Sequence, residues 1–281
     1  MKIKSLVPWY GSKRTLAPRI IKQFGPHTTY VEPFAGSLAV LLAKEPARHE
    51  VVSDLHADLI NLLRVLCDRE SAERLHVFLS LVPYCETLYL EAVERLRSSI
   101  DSDPILRARD YMLASWQGIN GLAGTDRKVT FARRSTASGG NGPIRWRGVC
   151  DSIPYWHERV NRVEFHQRDA FQTLEMIRDE PGTVVYCDPP YLSETRCDNA
   201  KYVHDFSAED HQRLASALKR FTKARVVVSY YRNPTTDLIY DGWKCVDYIG
   251  RKNMSNVGVT PSKELNAQEC VYVNGEIYPE A

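Results

Sequence analysis

The chain is 281 residues long, 43% hydrophobic, and carries a net charge of +2. Such a length holds one catalytic domain plus an insert and buries a substantial core without disulfides, while a balance so near neutrality does not by itself announce a polyanion partner. Seven cysteines with no C-x-x-C pair argue against a disulfide frame or a structural zinc site; with no signal-like apolar start in Met1 to Pro8 and no membrane-length apolar run, a soluble cytoplasmic protein is expected.

The first patterned element is Thr28 to Leu42, which reads as a short strand, a tight turn from Pro33 to Ser37 and an apolar helix start. Gly36 lets a ligand approach the backbone closely, and Ser37 with the helix amino end offers N–H donors to a carboxylate. A second strand, Glu50 to Ser53, leads to Asp54, placed where an acidic residue meets ribose hydroxyls in a nucleoside-binding βαβ unit. Asp54 also suits the N-cap of a helix beginning at His56, and the two roles are compatible. Neither G-x-G-x-x-G nor G-x-x-x-x-G-K-[ST] occurs, which disfavours dinucleotides and nucleoside triphosphates. A nucleoside ligand without phosphates, of the S-adenosylmethionine kind, fits better.

Residues 56 to 125 read as mostly helical. Leu59, Ile60, Leu62, Leu63, Val65 and Leu66 mark one helix, Leu88 to Leu96 another, and Tyr111 to Trp116 lead to a helix end at Asn120-Gly121. From Asp126 to Val149 six basic residues, Arg127, Lys128, Arg133, Arg134, Arg145 and Arg147, stand against a single acid, with the glycine-rich Ser138 to Pro143 and Trp146 among them. A basic hairpin loop with an aromatic suits phosphate contacts and insertion into a groove; a solvated loop with incidental arginines is the alternative.

Val163 to Phe171 holds another strand, ending at Asp169. Gly182 then opens the β-branched run Thr183 to Cys187, a buried strand by composition, and Asp188-Pro189-Pro190-Tyr191 follows at its carboxyl end, where open α/β sheets bind ligands. This combination suits reaction at an amino group on a flat ring, whose lone pair is delocalised and must be drawn toward tetrahedral geometry. Asp188 and the Pro189 carbonyl would each take one amine hydrogen, the prolines would stiffen the turn, and Tyr191 would stack on the base. The plainer alternative is a strand exit in which Asp188 caps a turn and Tyr191 packs on the core. A helix from Ala208 and strands at Ala224 to Ser229, Trp243 to Ile249 and Glu269 to Val273 complete an α/β alternation, so an open mixed sheet with helices on both faces is expected. Residues 1–55 and 156–281 would form one discontinuous catalytic domain around an inserted, mainly helical domain at 56–155.

Taken together and in chain order, Trp9-Tyr10-Gly11-Ser12-Lys13, Glu32-Pro33-Phe34-Ala35-Gly36, Asp54 and Asp188-Pro189-Pro190-Tyr191 resemble the Dam-like DNA adenine-N6 methyltransferases. The resemblance extends to Tyr202, Phe206 and Ser229-Tyr230-Tyr231, and covers most of the chain outside residues 60 to 160. One departure stands out: the family's loop is commonly F-x-G-x-G, and its second glycine is Leu38 here. A side chain there would narrow the cofactor space or start the helix one residue earlier.

The resemblance implies a Rossmann-like methyltransferase sheet, S-adenosylmethionine as cofactor, and transfer to the N6 amine of an adenine flipped from double-stranded DNA, without a metal. It implies cofactor contacts from Trp9, Tyr10, Lys13, Glu32, Pro33, Phe34, Ala35, Gly36, Ser37, Asp54, Asp169, Ala170, Phe171 and Asp188, and catalysis by Asp188, Pro189, Pro190 and Tyr191. Lys13 would pair with the cofactor carboxylate or with a carboxylate of the site; taken alone it reads as a surface lysine. The insert would be a target-recognition module, with Arg127, Lys128, Arg133, Arg134, Arg145 and Arg147 on DNA. Cytosine-N4 transfer, an RNA substrate and a catalytically silent DNA-binding regulator stay open at this point. A monomer is expected, and a cognate restriction endonuclease is a candidate partner.

Overall fold

In the computed structural model, which describes residues 3–9, 11–98, 103–119, 130–133, 141–192, 206–248 and 268–279, the short β-branched runs become strands. These are β1 (Thr29–Glu32), β2 (His49–Asp54), β3 (Glu164–Gln167), β4 (Thr183–Cys187), β5 (Arg225–Tyr231), β6 (Lys244–Tyr248) and β7 (Glu269–Val273). Among the described residues they form one sheet in the order β3-β2-β1-β4-β5-β7-β6. The first five strands run parallel, and β7 pairs antiparallel with both β5 and β6. Strand order reverses between β1 and β4, so their carboxyl ends flank the switch point at which open sheets hold ligands.

The helices are α1 (Ala17–Lys22), α2 (Ala39–Ala43), α3 (Ala57–Cys67), α4 (Arg69–Leu81), α5 (Glu86–Ser98), α6 (Pro104–Gln117), α7 (Gly142–Cys150), α8 (Ile153–Val160), α9 (Ala170–Met176), α10 (Ala208–Lys219) and α11 (Pro234–Ile239). They cover both faces because side chains alternate along a strand. Val184 and Tyr186 of β4 join an apolar cluster with Ile20 of α1 and Leu59 of α3, whereas Val185 and Cys187 join another with Leu214 and Leu218 of α10.

Parallel neighbours need a crossover, and the one from β2 to β3 carries α3 to α8. Its helices share one continuous core with the sheet, through Leu62 and Leu66 of α3, Met112 of α6 and Trp156 of α8. The Trp116 indole donates to the Leu6 carbonyl at 2.9 Å and the Trp156 indole to that of Ile3 at 2.8 Å, which pins the N-terminal segment beneath the helices. Arg159 of α8 donates to both oxygens of Glu50 on β2 at 2.5 and 2.9 Å, and Lys44 donates to the same carboxylate at 2.5 Å. This buried cluster locks the end of the crossover to the sheet.

The basic stretch divides in two. Ile119 N–H donates to Thr130 O and Ala132 N–H to Gln117 O, each at 2.8 Å, closing an antiparallel base. Residues 142–150, however, form α7 and not a second hairpin arm. Asn141 accepts from the Ile144 N–H as N-cap, and Pro143 sits in the first turn; this start signal outweighs the neighbouring glycines. Trp146 is accordingly buried, its indole donating to Val82 O at 2.8 Å, and has no free ring to insert into a groove. Asn120-Gly121, Arg127, Lys128, Arg134 and residues 138–140 lie outside the described residues.

Candidate active site

The turn after β1 is shaped by two left-handed residues, Gly36 at φ 45° and Leu38 at φ 54°. A Cβ on Gly36 would stand 3.2 Å from Trp9 Nε1, so the glycine admits the indole against the backbone. Leu38 holds a left-handed conformation that glycine adopts more readily. Its side chain is fully buried in the core, so it does not narrow the cofactor side, and α2 starts after it, at Ala39. A left-handed leucine costs about 1–2 kcal/mol, which its burial offsets.

Asp54 closes this turn from β2. Its Oδ2 accepts the Gly36 N–H and its Oδ1 the His56 N–H, both at 2.9 Å. The N-cap of α3 is His56, which accepts from Leu59 N–H, and not Asp54. A carboxylate has about four acceptor positions, so Asp54 keeps capacity for a ribose diol.

Two adjacent residues join this loop to the end of β4. Ser12 Oγ lies 2.8 Å from Ser37 Oγ, and Lys13 Nζ lies 2.9 Å from Asp188 Oδ1. Lys13 is only 4% exposed, so the surface-lysine reading fails. Its Nζ also donates to Gly11 O at 2.7 Å, stands 4.7 Å from the centre of the Tyr191 ring and is 4.0 Å from Glu269 Oε2. Burial alone would lower the lysine pKa, but Asp188 and Glu269 outweigh it and leave it raised. Burial lifts the Asp188 pKa, and Lys13 and the Tyr191 hydroxyl hold it back.

Glu269 was not among the residues singled out in the sequence. It belongs to the site because β7 runs antiparallel beside β5 and so brings its first residue back to the carboxyl ends of the parallel strands; an acid opening a strand was the only signal. Tyr191 is 6% exposed, stacked on Tyr230 at 5.7 Å and edge-on to Tyr231 at 4.7 Å, with Lys13 over its ring. Pro189 is buried and Pro190 half-buried beside it.

Glu32, at the end of β1, is buried and accepts from the Tyr30 hydroxyl at 2.9 Å. Burial pushes its carboxyl up to about 8, with Asp188 adding to the rise and Tyr30 opposing it. Pro33, Ala35 and Ser37 are buried, and Phe34 is half-buried. Asp169 caps α9 by accepting from Phe171 N–H at 2.7 Å, Ala170 is buried behind it, and Ser53 Oγ to Thr173 Oγ1 at 2.7 Å ties α9 to β2. Phe171 is 6% exposed: Phe206 lies parallel at 5.9 Å and the Arg213 guanidinium 3.9 Å away, with Phe34 edge-on to Phe206 at 5.5 Å. Tyr10 and Tyr202 fall outside the described residues.

Of the basic residues, Arg133 is exposed and paired with Glu86 at 3.1 Å, Arg147 is exposed on α7, and Arg145 lies over the Trp116 ring at 4.8 Å. No described helix is long and apolar enough to cross a membrane.

A left-handed turn after β1, its acidic partner on β2 and a carboxylate after β4, joined through Ser12 and Lys13, sit at the switch point of a Rossmann-like methyltransferase sheet. The chain belongs to the D12 class N6 adenine-specific DNA methyltransferases, whose family model matches residues 9–257. It transfers a methyl group from S-adenosylmethionine to adenine N6 in DNA. It is 26% identical to the Retron Ec67 DNA adenine methylase of Escherichia coli, across 97% of this chain and 92% of that protein. It is 25% identical to the DNA adenine methylase of E. coli K12, across 99% and 98%, and 23% identical to that of Haemophilus influenzae, across 98% and 95%.

Proposed function

We propose that the chain draws an adenine out of duplex DNA into the space between Asp188 and Tyr191, with residues 1–55 and 156–281 as the catalytic part and residues 56–155 as the part that meets DNA. An amine inside a paired stack cannot line up with a methyl donor, so the base must leave the helix. Trp9, Gly36, Ser37 and Asp54 hold the donor, with Pro33, Phe34 and Ala35 shaping the turn, and Asp169 with Ala170 and Phe171 lines its adenine end. When bound, S-adenosylmethionine supplies an electrophilic methyl group on a sulfonium.

Asp188 accepts one amine hydrogen and the Pro189 carbonyl the other, turning the nitrogen lone pair out of the ring plane. As the nitrogen–carbon bond forms and the sulfur–carbon bond breaks, positive charge grows on the amine and its hydrogen bond to Asp188 strengthens. The proton that leaves the nitrogen passes to Asp188, whose burial suits it to accept. Lys13 holds the amine's seat over Tyr191 until the base arrives, then gives way toward Glu269. Arg127, Lys128, Arg133, Arg134, Arg145 and Arg147 contact phosphates, which position the duplex without reading its sequence.

The observation that carries this reading is the reach of two adjacent side chains, Ser12 to Ser37 at 2.8 Å and Lys13 to Asp188 at 2.9 Å. They set the donor loop and the acceptor carboxylate side by side. The test uses duplex DNA with 2-aminopurine at an adenine already mapped as methylated. Fluorescence should rise when the protein binds, as the base unstacks; tight binding without that rise would contradict the reading.

A further inference from the structure

We infer that the β6–β7 hairpin carries a binding site for a thiophilic divalent cation of the zinc class, built from Cys245, Asp247 and Cys270. Its geometry follows from strand register. Cys245 and Asp247 are alternate residues of β6 and share a face, and Asp247 pairs directly with Cys270 across on β7. The two sulfurs and the carboxylate oxygen all lie within 4.8 Å of one another, and Cys245 Sγ already stands 3.8 Å from Asp247 Oδ1. Ligand atoms on a tetrahedral zinc lie about 3.5 Å apart, given bonds of about 2.3 Å to sulfur and about 2.0 Å to oxygen. Closure therefore asks for movements of about 1 Å, within the reach of side-chain rotation. Three protein ligands leave the fourth position to water.

The net charge of the site is also small. Binding releases one proton from each thiol, so two thiolates and one carboxylate surround a dication and leave one negative charge. Arg232 lends positive charge to the site, its Nη1 donating to Asp247 Oδ2 at 2.6 Å while its Nε pairs with Asp237 at 3.3 Å. That bond occupies the outer oxygen and leaves Oδ1 turned toward the sulfurs, the arrangement by which an outer hydrogen bond orients a metal-ligating carboxylate. Two sulfurs and one oxygen suit zinc-class ions, whereas Ca²⁺ and Mg²⁺ call for shells of oxygen. Asp247 is 30% exposed, which gives an ion a way in, while Cys270 is buried among Tyr240 and Tyr272. Because Cys270 adjoins Glu269, which faces Lys13, a cation here clamps the hairpin whose opposite face reaches the active site.

The test takes the full-length chain, reduced and stripped with a chelator. It is titrated with zinc ion against a chromophoric chelator, and with cobalt(II) followed by absorption. One zinc per chain should bind with a dissociation constant below about 1 μM, and cobalt should give a thiolate charge-transfer band. Cys245→Ala, at a half-buried position, and Asp247→Asn should each weaken binding by more than about tenfold, with S-adenosylmethionine affinity unchanged as proof of fold; Cys67→Ala should change nothing. Weaker binding, a cobalt spectrum without the thiolate band, or full affinity in Cys245→Ala would overturn the inference. So would mass spectrometry finding Cys245 and Cys270 joined in a disulfide in the protein as isolated.

Discussion

Lys13 and Asp188 are far apart in the chain, yet Nζ and Oδ1 meet at 2.9 Å where the lysine is only 4% exposed. Without the lysine, only the Tyr191 hydroxyl opposes burial of the carboxylate, and its pKa rises further. Lys13→Met should therefore move the acidic limb of the pH–rate profile upward: transfer near neutrality falls more than about tenfold and partly recovers in alkali. Single-turnover rates across pH decide it, and an equal loss at every pH would contradict this role.

Glu32 makes stability pH-dependent. Its carboxyl is held at about 8 in the fold, against 4.5 for an unperturbed glutamate. Between those values the folded state binds the extra proton, so the contribution is complete below about pH 4.5, erodes as pH rises and is gone above about pH 8. Glu32→Gln should flatten that fall and raise the melting temperature in mild alkali by about 3 °C or more relative to the parent. Melting curves across the window check it; parallel slopes in the two proteins would refute the assignment.

Gly36 and Leu38 should separate cofactor binding from stability. Gly36→Ala puts a Cβ 3.2 Å from the Trp9 indole at a positive φ, and should weaken S-adenosylmethionine binding by about tenfold, on the order of 1.4 kcal/mol. Leu38→Gly relaxes the backbone but empties a core site, and should lower stability by about 2 kcal/mol with donor affinity unchanged. Calorimetric titration and urea unfolding distinguish the two; equal losses of affinity would be the wrong result.

Arg159→Ala should be among the most damaging changes away from the active site. It leaves the Glu50 carboxylate, 1% exposed, with Lys44 as its cation and the Ala47 N–H as its other donor. Breaking a buried pair costs about 3–5 kcal/mol. Urea unfolding reads it directly, and a loss under about 1 kcal/mol would show the cluster to be dispensable.

The sheet was legible because β-branched runs, their spacing and turn residues agree, and the active-site motifs because they end strands. What was hidden depends on pairing that no local pattern encodes. Glu269 and the cluster of Cys245, Asp247 and Cys270 exist as neighbours only once β7 turns antiparallel between β5 and β6; a search for C-x-x-C spacing passes over cysteines brought together across strands. The helix at 142–150 was masked by glycines, although Asn141 and Pro143 are start signals. Tyr191 reads as a stacking platform and Phe171 as a cofactor contact, but the sequence cannot say that Tyr230 and Lys13 pack on the one and Phe206 and Arg213 on the other.

The central claim, that Asp188 holds the adenine amine while other residues hold the donor, is tested most directly by Asp188→Ala in single-turnover transfer of labelled methyl to duplex DNA, set beside its affinity for S-adenosylmethionine. Transfer should fall by about a thousandfold while donor affinity stays within about threefold of the parent. Near-normal transfer, or donor binding lost in step with transfer, would contradict it.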